Sequence, residues 1–206
     1  MSPLLPSPVV APLPTRPYRL LAIGGSAGAL AALIEVLGRL PADFPIPIVV
    51  VQHLAAAWES QLPRVLGFRT PLRCRWAEHG GLPRPGTVHV APRGANLALN
   101  AAGSFAVQPG PKPRMGWPSV DIFMGSMAEH CGDEGIAVIL SGMLSDGANG
   151  MAAVRRAGGA TMVQHPQSAV HPDMPGAAVD LGRADLMRSP AGIAQALMVL
   201  AERGIE

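Results

Sequence analysis

The chain has 206 residues, of which 49% are hydrophobic and 15% are charged, and its formal net charge at neutral pH is +2. This composition predicts a globular chain with a sizeable core, and the small, scattered charge argues against nucleic-acid binding. No apolar run approaches the roughly 20 residues that a membrane-spanning helix needs. The two cysteines, Cys74 and Cys131, match no metal-ligand spacing and favour free thiols in a reducing compartment. We therefore expect a cytoplasmic protein.

The beginning of the chain differs in composition from the rest. Residues 1–17 contain six prolines and no early basic residue. A proline-rich segment of this kind predicts a disordered lead-in and lacks the features of a signal peptide. We expect a single domain over residues 18–206.

The first predicted strand and helix are joined by a glycine-rich turn that carries one hydroxyl. Residues 19–23 read as a mostly apolar strand and residues 27–37 as an apolar helix, with Ser26 between them. The letters Gly24-Gly25-Ser26-Ala27-Gly28 satisfy G-x-S-x-G, a pattern in which a sharp strand-to-helix turn lifts a serine clear of the backbone. The helix N-terminus behind this serine favours negative charge that develops there.

Strands and helices alternate along most of the remaining chain. Continuous apolar runs predict strands that are buried on both faces, as in parallel sheets. Further strands are predicted at 46–51, 72–77, 87–91, 136–140 and 160–164, further helices at 58–66, 119–131, 151–157, 174–179 and 190–203, a hairpin near 97–99 and 105–107, and an irregular loop at 109–118. The expected fold class is α/β: a doubly wound, mostly parallel sheet with helices on both faces and a short antiparallel hairpin region.

Three polar residues lie in the turns that come shortly after predicted buried strands. They are Ser26, His53 and Asp146. Because the carboxyl ends of parallel strands meet at one edge of a sheet, these side chains are expected to lie close together. A hydroxyl, an imidazole and a carboxylate at one edge are the parts of a nucleophile, a general base and the group that orients the base. The pattern favours a hydrolase.

Each of these residues also has an ordinary structural explanation. The Ser26 turn could hold a dinucleotide pyrophosphate or only start a helix, although the G-x-G-x-x-G register fails because this serine occupies the second glycine's place. His53 could bond to a nearby loop, and Asp146 could cap the helix that follows it. The other histidines show no metal-binding spacing, so no metal site is expected. A non-catalytic interaction module and a nucleotide-binding domain stay open beside the hydrolase.

Four segments carry a family pattern, in order and with family-like spacing. They are Ala22-Ile-Gly-Gly-Ser-Ala-Gly-Ala, Val51-Gln-His, Pro118-Ser-Val-Asp and Leu140-Ser-Gly-Met-Leu-Ser-Asp-Gly-Ala-Asn-Gly-Met. With them, the chain from about Tyr18 onward resembles the catalytic domain of the chemotaxis protein-glutamate methylesterases, the CheB family.

The resemblance implies a role for each candidate residue. Ser26 would be the nucleophile, His53 the base, Asp146 its partner, and the backbone N–H of Met143 an oxyanion donor. The residue after the nucleophile in such a turn normally adds its own N–H, here that of Ala27. The family removes methyl groups from glutamate methyl esters on the helical cytoplasmic domains of chemoreceptors, and some members deamidate receptor glutamines. The reaction implied needs no cofactor, and neither nucleic acid nor membrane insertion is expected.

The chain departs from the family pattern in two places. The family usually has Ser-Thr-Gly-Gly where this chain has Ser26-Ala27-Gly28-Ala29, and it often has arginine where this chain has Trp117. The family's usual amino-terminal receiver domain is not seen in the sequence. Without a receiver domain, we expect activity that needs no phosphodonor. Because Ala27 replaces the threonine, we expect a lower rate than in relatives with threonine after the nucleophile.

Overall fold

The computed structural model describes residues 16–54, 59–109, 117–181 and 184–203. The predicted lead-in lies outside these residues except at its end. Most of the predicted loop 109–118 and the first residue of the predicted helix 58–66 also lie outside them.

The strands form a parallel sheet and a separate hairpin. In chain order they are β1 (Leu20–Gly25), β2 (Ile48–Gln52), β3 (Arg73–Trp76), β4 (Thr87–Val90), β5 (Ala95–Leu99), β6 (Phe105–Pro109), β7 (Gly135–Ile139), β8 (Ala160–Gln164) and β9 (Leu186–Arg188). The sheet has seven strands in the order β3-β4-β2-β1-β7-β8-β9, and every neighbouring pair is parallel. β5 and β6 pair with each other in antiparallel fashion.

Helices cover both faces of the sheet. They are α1 (Ala29–Leu37), α2 (Leu62–Gly67), α3 (Val120–Cys131), α4 (Ala148–Arg156), α5 (Asp173–Asp180) and α6 (Pro190–Arg203). Leu21 and Ile23 of β1 join the core under α1, α2 and α6, whereas Leu20 and Ala22 join the core under α3, α4 and α5. β1 is a continuous apolar run because successive side chains enter opposite cores. None of the helices in the described ranges is long and apolar enough to cross a bilayer.

The arrangement confirms the predicted fold class, with differences at the ends of elements. The first helix begins at Ala29 instead of Ala27, and the helix predicted at 151–157 begins at Ala148. β9 is absent from the sequence prediction, because a strand of three residues of which only Leu186 is buried leaves no apolar run to detect.

The strand order decides where a site can form. β1 lies between β2 and β7, and the chain places β2, β3 and β4 on one side of β1 before it places β7, β8 and β9 on the other. In open parallel sheets, ligands bind outside the carboxyl ends of the strands at such a reversal. The turns that follow β1, β2 and β7 therefore meet at one edge of the sheet.

Candidate active site

Ser26 lies in the turn between β1 and α1, at the carboxyl end of the central strand. Its N–H donates to the Ser141 carbonyl at 3.0 Å, and its own carbonyl accepts from the Ala29 N–H at 3.1 Å. Gly28 has a φ of +76°, a left-handed conformation that residues with a Cβ rarely adopt, and its place before α1 leaves that helix without a side-chain cap. The Ser26 hydroxyl is therefore not used as a helix cap.

His53 follows β2 and reaches the serine through the strand register. The pairing of β1 with β2 sets Gln52 beside Gly25, and the His53 N–H continues it by donating to the Gly25 carbonyl at 3.1 Å. The imidazole Nδ1 then lies 3.0 Å from Ser26 Oγ. At this distance the ring nitrogen can accept the hydroxyl proton, which is the contact that a general base needs.

Asp146, in the turn after β7, extends this contact into a chain of three side chains. Its Oδ2 lies 2.7 Å from His53 Nε2. The two side chains are only 14% and 19% exposed, so water competes little for the bond. With Nε2–H donating to the carboxylate, Nδ1 carries the lone pair and faces Ser26. Asp146 therefore selects the tautomer in which His53 is a base toward the serine.

The Asp146 carboxylate also sits on the N-terminus of α3. Oδ2 accepts from the Val120 N–H at 2.8 Å, and Oδ1 accepts from the Asp121 N–H at 3.0 Å and from the Ser119 hydroxyl at 3.1 Å. Burial acts to raise the pKa of Asp146, but the hydrogen bonds from His53 and from the two backbone N–H groups outweigh it, and the pKa is lowered. The carboxylate is therefore ionised at neutral pH.

Asp121 makes the reciprocal contact with the helix that follows Asp146. Its Oδ1 accepts from the N–H groups of Gly147 and Gly150, at 2.9 and 2.7 Å, at the N-terminus of α4. The interpretation of Asp146 as a cap of its own following helix is therefore wrong. Instead, Asp146 from the turn before α4 binds the N-terminus of α3, and Asp121 from α3 binds the N-terminus of α4. These reciprocal hydrogen bonds hold the Asp146 turn in place.

The two expected oxyanion donors lie in the turns that follow β1 and β7. Ala27 follows Ser26 directly, and Met143 lies in the turn after β7 with 51% of its surface exposed. Gly142 lets that turn approach, because a Cβ at this position would lie 2.9 Å from the Ser26 Cβ and would overlap Met174. Among the described residues, no acceptor receives a hydrogen bond from the N–H of Ala27 or of Met143.

Several residues that hold the site escape sequence reasoning. Ser119 caps α3 by accepting from the Ile122 N–H, and its hydroxyl also donates to Asp146. Gln52 and Ser141 lie beneath the nucleophile turn and donate to its carbonyl groups. A polar residue at the carboxyl end of an apolar strand is the only sequence signal for such residues. It indicates their position but not the group to which they bind.

The remaining nucleophilic side chains are placed for packing. Burial raises the pKa of the Cys74 thiol to about 11 and also raises the pKa of Cys131, so neither forms a thiolate readily. Both cysteines are free, on β3 and α3 respectively. Within the described ranges, no group of three or more His, Cys, Asp or Glu side chains could hold a metal ion.

The sequence is similar to those of known proteins. The family model described as CheB methylesterase matches residues 21–197. The chain is 39% identical over 204 residues to protein-glutamate methylesterase/protein-glutamine glutaminase 3 of Anaeromyxobacter dehalogenans (strain 2CP-C), a match covering 96% of this chain and 60% of the relative. It is 39% identical over 185 residues to protein-glutamate methylesterase FrzG of Myxococcus xanthus, covering 90% of this chain and 55% of the relative. The chain thus spans little more than half the length of these relatives.

A solved structure shares the fold. The crystal structure of the Thermotoga maritima CheB methylesterase catalytic domain superposes with a TM-score of 0.83 at 32% sequence identity. The match covers 89% of this chain and 98% of that chain, so the likeness extends over nearly the whole catalytic domain. The chain belongs to the CheB methylesterase family.

Proposed function

We propose that the chain is a serine-dependent carboxyl-ester hydrolase that removes methyl groups from glutamate methyl esters in proteins. The observation that carries the proposal is the hydrogen-bonded series Ser26, His53 and Asp146, with contacts of 3.0 and 2.7 Å. The names of the relatives support the substrate class. The alternative, a non-catalytic signalling or receptor-binding module, gives no reason for a base aligned on a serine hydroxyl.

The first half of the proposed reaction forms an acyl-enzyme. Ser26 Oγ attacks the ester carbonyl carbon while its proton passes to His53 Nδ1, and Asp146 stabilises the resulting imidazolium. The negative charge moves to the carbonyl oxygen, where the N–H groups of Ala27 and Met143 are the donors. The tetrahedral intermediate then expels the methoxy group, which takes the proton from His53 and leaves as methanol.

The second half returns the enzyme to its resting state. A water molecule gives a proton to His53 Nδ1 and attacks the acyl carbon, and the oxyanion forms again at the same donors. The bond to Ser26 Oγ breaks, the serine recovers its proton from the imidazolium, and the free glutamate leaves. This sequence uses only side-chain and backbone groups of the chain and one water molecule.

We place this reaction in chemotaxis, with the methylated helical cytoplasmic domains of chemoreceptors as substrates and the cytoplasm as the compartment. Family membership supports this assignment. The same acyl-enzyme could form from a glutamine side chain, with ammonia leaving in place of methanol. The relative from Anaeromyxobacter dehalogenans is named for both activities, whereas FrzG is named for the methylesterase alone. Ammonia release from a receptor fragment with glutamine at the methylated positions decides between the two.

The proposal is tested by methanol release from a methylated chemoreceptor fragment. Wild type should release methanol, and Ser26→Ala should not, because the acyl-enzyme needs the hydroxyl. A fluorophosphonate probe should label wild type at Ser26 and leave Ser26→Ala unlabelled. A wild-type protein that neither reacts with the probe nor releases methanol would favour the binding module.

A further inference from the structure

Two side chains beneath Ser26 bind the backbone of the nucleophile turn. Gln52 Nε2 donates to the Ser26 carbonyl at 2.7 Å and, with a longer contact of 3.4 Å, to the His53 carbonyl. Ser141 Oγ donates to the Ala27 carbonyl at 2.8 Å. These two carbonyl groups belong to the peptide units on either side of the Ala27 Cα, so both planes that meet at this residue are held by a side chain.

Because peptide units are planar, a bond that fixes a carbonyl also fixes the direction of the N–H in the same unit. In a trans peptide unit, the C=O and the following N–H point in opposite directions. The bond from Gln52 to the Ser26 carbonyl therefore directs the Ala27 N–H away from Gln52. The bond from Ser141 directs the Gly28 N–H away from Ser141 in the same manner. Neither N–H donates to another described residue, so the turn presents open donors in fixed directions.

The orientation of the Gln52 amide satisfies its Nε2 but leaves its Oε1 without a hydrogen bond from the described residues. This oxygen is buried. A flipped amide would set that oxygen against the Ser26 carbonyl, an acceptor facing an acceptor, so the orientation is dictated by the turn. An unpaired buried acceptor is unfavourable for stability. The placement of Gln52 is better explained by the carbonyl that it holds than by the stability of the fold.

Ser141 is fixed by its own contacts. It is fully buried, and its N–H donates to Gln164 Oε1 at 2.9 Å. Its hydroxyl oxygen accepts from the His171 N–H at 2.9 Å, and of the two carbonyls within reach the Ala27 oxygen, at 2.8 Å, is closer than the His171 oxygen, at 3.4 Å. The hydroxyl proton is thus directed to Ala27.

We propose that Gln52 and Ser141 are positioning residues, which act through the Ser26 and Ala27 carbonyls to aim the Ala27 N–H at the oxyanion formed on acylation. The inference rests on the proposed esterase function. A preorganised donor stabilises the charge that develops in the transition state more than it stabilises the bound ester. Loss of either side chain should therefore lower kcat and leave KM unchanged.

The test compares Gln52→Met and Ser141→Ala with Thr161→Val as a matched control. Thr161, on β8, is also fully buried. Its hydroxyl donates to Asp185 Oδ2 at 2.6 Å and accepts from the Asp185 N–H at 3.0 Å, so its loss removes buried hydrogen bonds away from Ser26. Methanol release from a methylated receptor fragment gives kcat, KM and the pH profile of each variant. Thermal melts give the change in Tm.

We expect kcat to fall about tenfold in each site variant, because a supporting hydrogen bond is lost and the direct donor, whose loss costs about 100- to 1000-fold, remains. KM and the pH midpoint should stay at their wild-type values, since the bond between His53 Nε2 and Asp146 Oδ2 is kept. The double variant should be less impaired than the product of the single effects, because both residues hold one turn. Thr161→Val should lose Tm and keep kcat.

Two other results have distinct meanings. Wild-type turnover in Gln52→Met and Ser141→Ala, with Tm lowered as in Thr161→Val, would overturn the positioning role alone. A wild-type protein that releases no methanol would overturn the proposed function and this inference with it.

Discussion

The N-termini of α1 and α3 lie at the same edge of the sheet and are used in opposite ways. α3 has Ser119 as its cap and receives the Asp146 carboxylate on its first N–H groups. α1 has Gly28 in the cap position, no side-chain cap and no acidic residue in its first turn. At neutral pH one terminus binds the negatively charged Asp146 carboxylate, whereas the other receives no side-chain cap and lies beside Ser26.

The contrast suggests two roles: the N-terminus of α3 stabilises the folded protein, whereas the turn before α1 serves the proposed reaction. An ionised carboxylate at a helix N-terminus is favourable whether or not substrate is bound, and these hydrogen bonds hold Asp146 beside His53. The N–H groups of Ala27 and Gly28 in the α1 turn bind no acceptor among the described residues, so they can donate to the oxyanion of the proposed reaction. Substitutions at the filled terminus should therefore change stability and turnover together, whereas those at the open turn should change turnover alone.

His53→Ala should have the largest effect, because His53 contacts both Ser26 and Asp146 and so connects the two termini. We expect methyl-ester hydrolysis to fall to a trace with little change in Tm. The double variant Ser26→Ala, His53→Ala should be hardly slower than either single variant, since the members of such a triad act as a unit. Methanol release and thermal melts check this. Multiplicative losses in the double variant would show that the two residues act independently.

Asp146→Asn should lower both turnover and stability. The histidine loses its orienting charge, which in triad enzymes reduces turnover by about 10⁴. Asparagine caps a helix about as well as aspartate, but both oxygens of Asp146 accept hydrogen bonds here, so the amide NH₂ must face a donor. We expect a loss of about 1–3 kcal/mol in the free energy of unfolding, measured by urea denaturation. Unchanged stability would mean that α3 does not need the carboxylate.

The stability difference between wild type and Asp146→Asn should shrink in acid. The pKa of Asp146 is lowered from 3.8 on folding, so its stabilisation is complete above the unfolded-state pKa and is lost as the pH falls through the folded-state value. Urea denaturation from about pH 5 downward should show the wild-type free energy of unfolding approaching that of the variant. A difference independent of pH would exclude the charge as its cause.

Asp121→Ala should destabilise the packing of α3 against the N-terminus of α4 and should affect turnover less than Asp146→Asn does. It removes the carboxylate that accepts from Gly147 and Gly150 but keeps the backbone N–H that donates to Asp146. We expect about 1–2 kcal/mol less stability, as for a lost helix cap, and a fall in turnover of about tenfold or less. A loss of turnover as large as that of Asp146→Asn would show that Asp121 does more than hold the turn.

Ala27→Thr should have the smallest effect, at the open turn. The backbone donor is the same in both residues, so a threonine hydroxyl adds only a supporting bond or stiffens the turn, worth about tenfold or less in turnover. Ala27→Val is the matched control, because it is β-branched and has no hydroxyl. Assays side by side on a methylated receptor fragment should show a modest rise for threonine. An inactive wild type rescued only by threonine would favour the binding-module alternative.

The sequence predicts the elements because their physical signals are local. Apolar runs such as residues 46–51 and 136–140 mark strands buried on two faces, and the glycines around Ser26 mark the turn. The rule that strand ends meet at one edge then brings Ser26, His53 and Asp146 together, and in the structure they lie within hydrogen-bonding distance of one another in series. These inferences need the order of elements but no detailed loop geometry.

What sequence reasoning misses depends on geometry between distant loops. Asp146 binds α3 and not the helix next to it, because the turn after β7 crosses to the N-terminus of another helix. The partner of Gln52 is a backbone carbonyl, which looks alike at every position of a sequence. The three-residue edge strand β9 is stabilised by pairing with β8 and has no signal of its own.

The bond between His53 and Asp146 spans 93 residues, whereas the bond between Ser26 and His53 spans 27. The shorter loop can close once β1 and β2 pair, but the longer one requires β7 to insert on the other side of β1 after the entire first half has been laid down. Loop-closure entropy makes such long-range contacts slow to form. If the proposed esterase activity is present, it should consequently return late in refolding, after helical circular dichroism has recovered, and it would report when β7 joins the sheet.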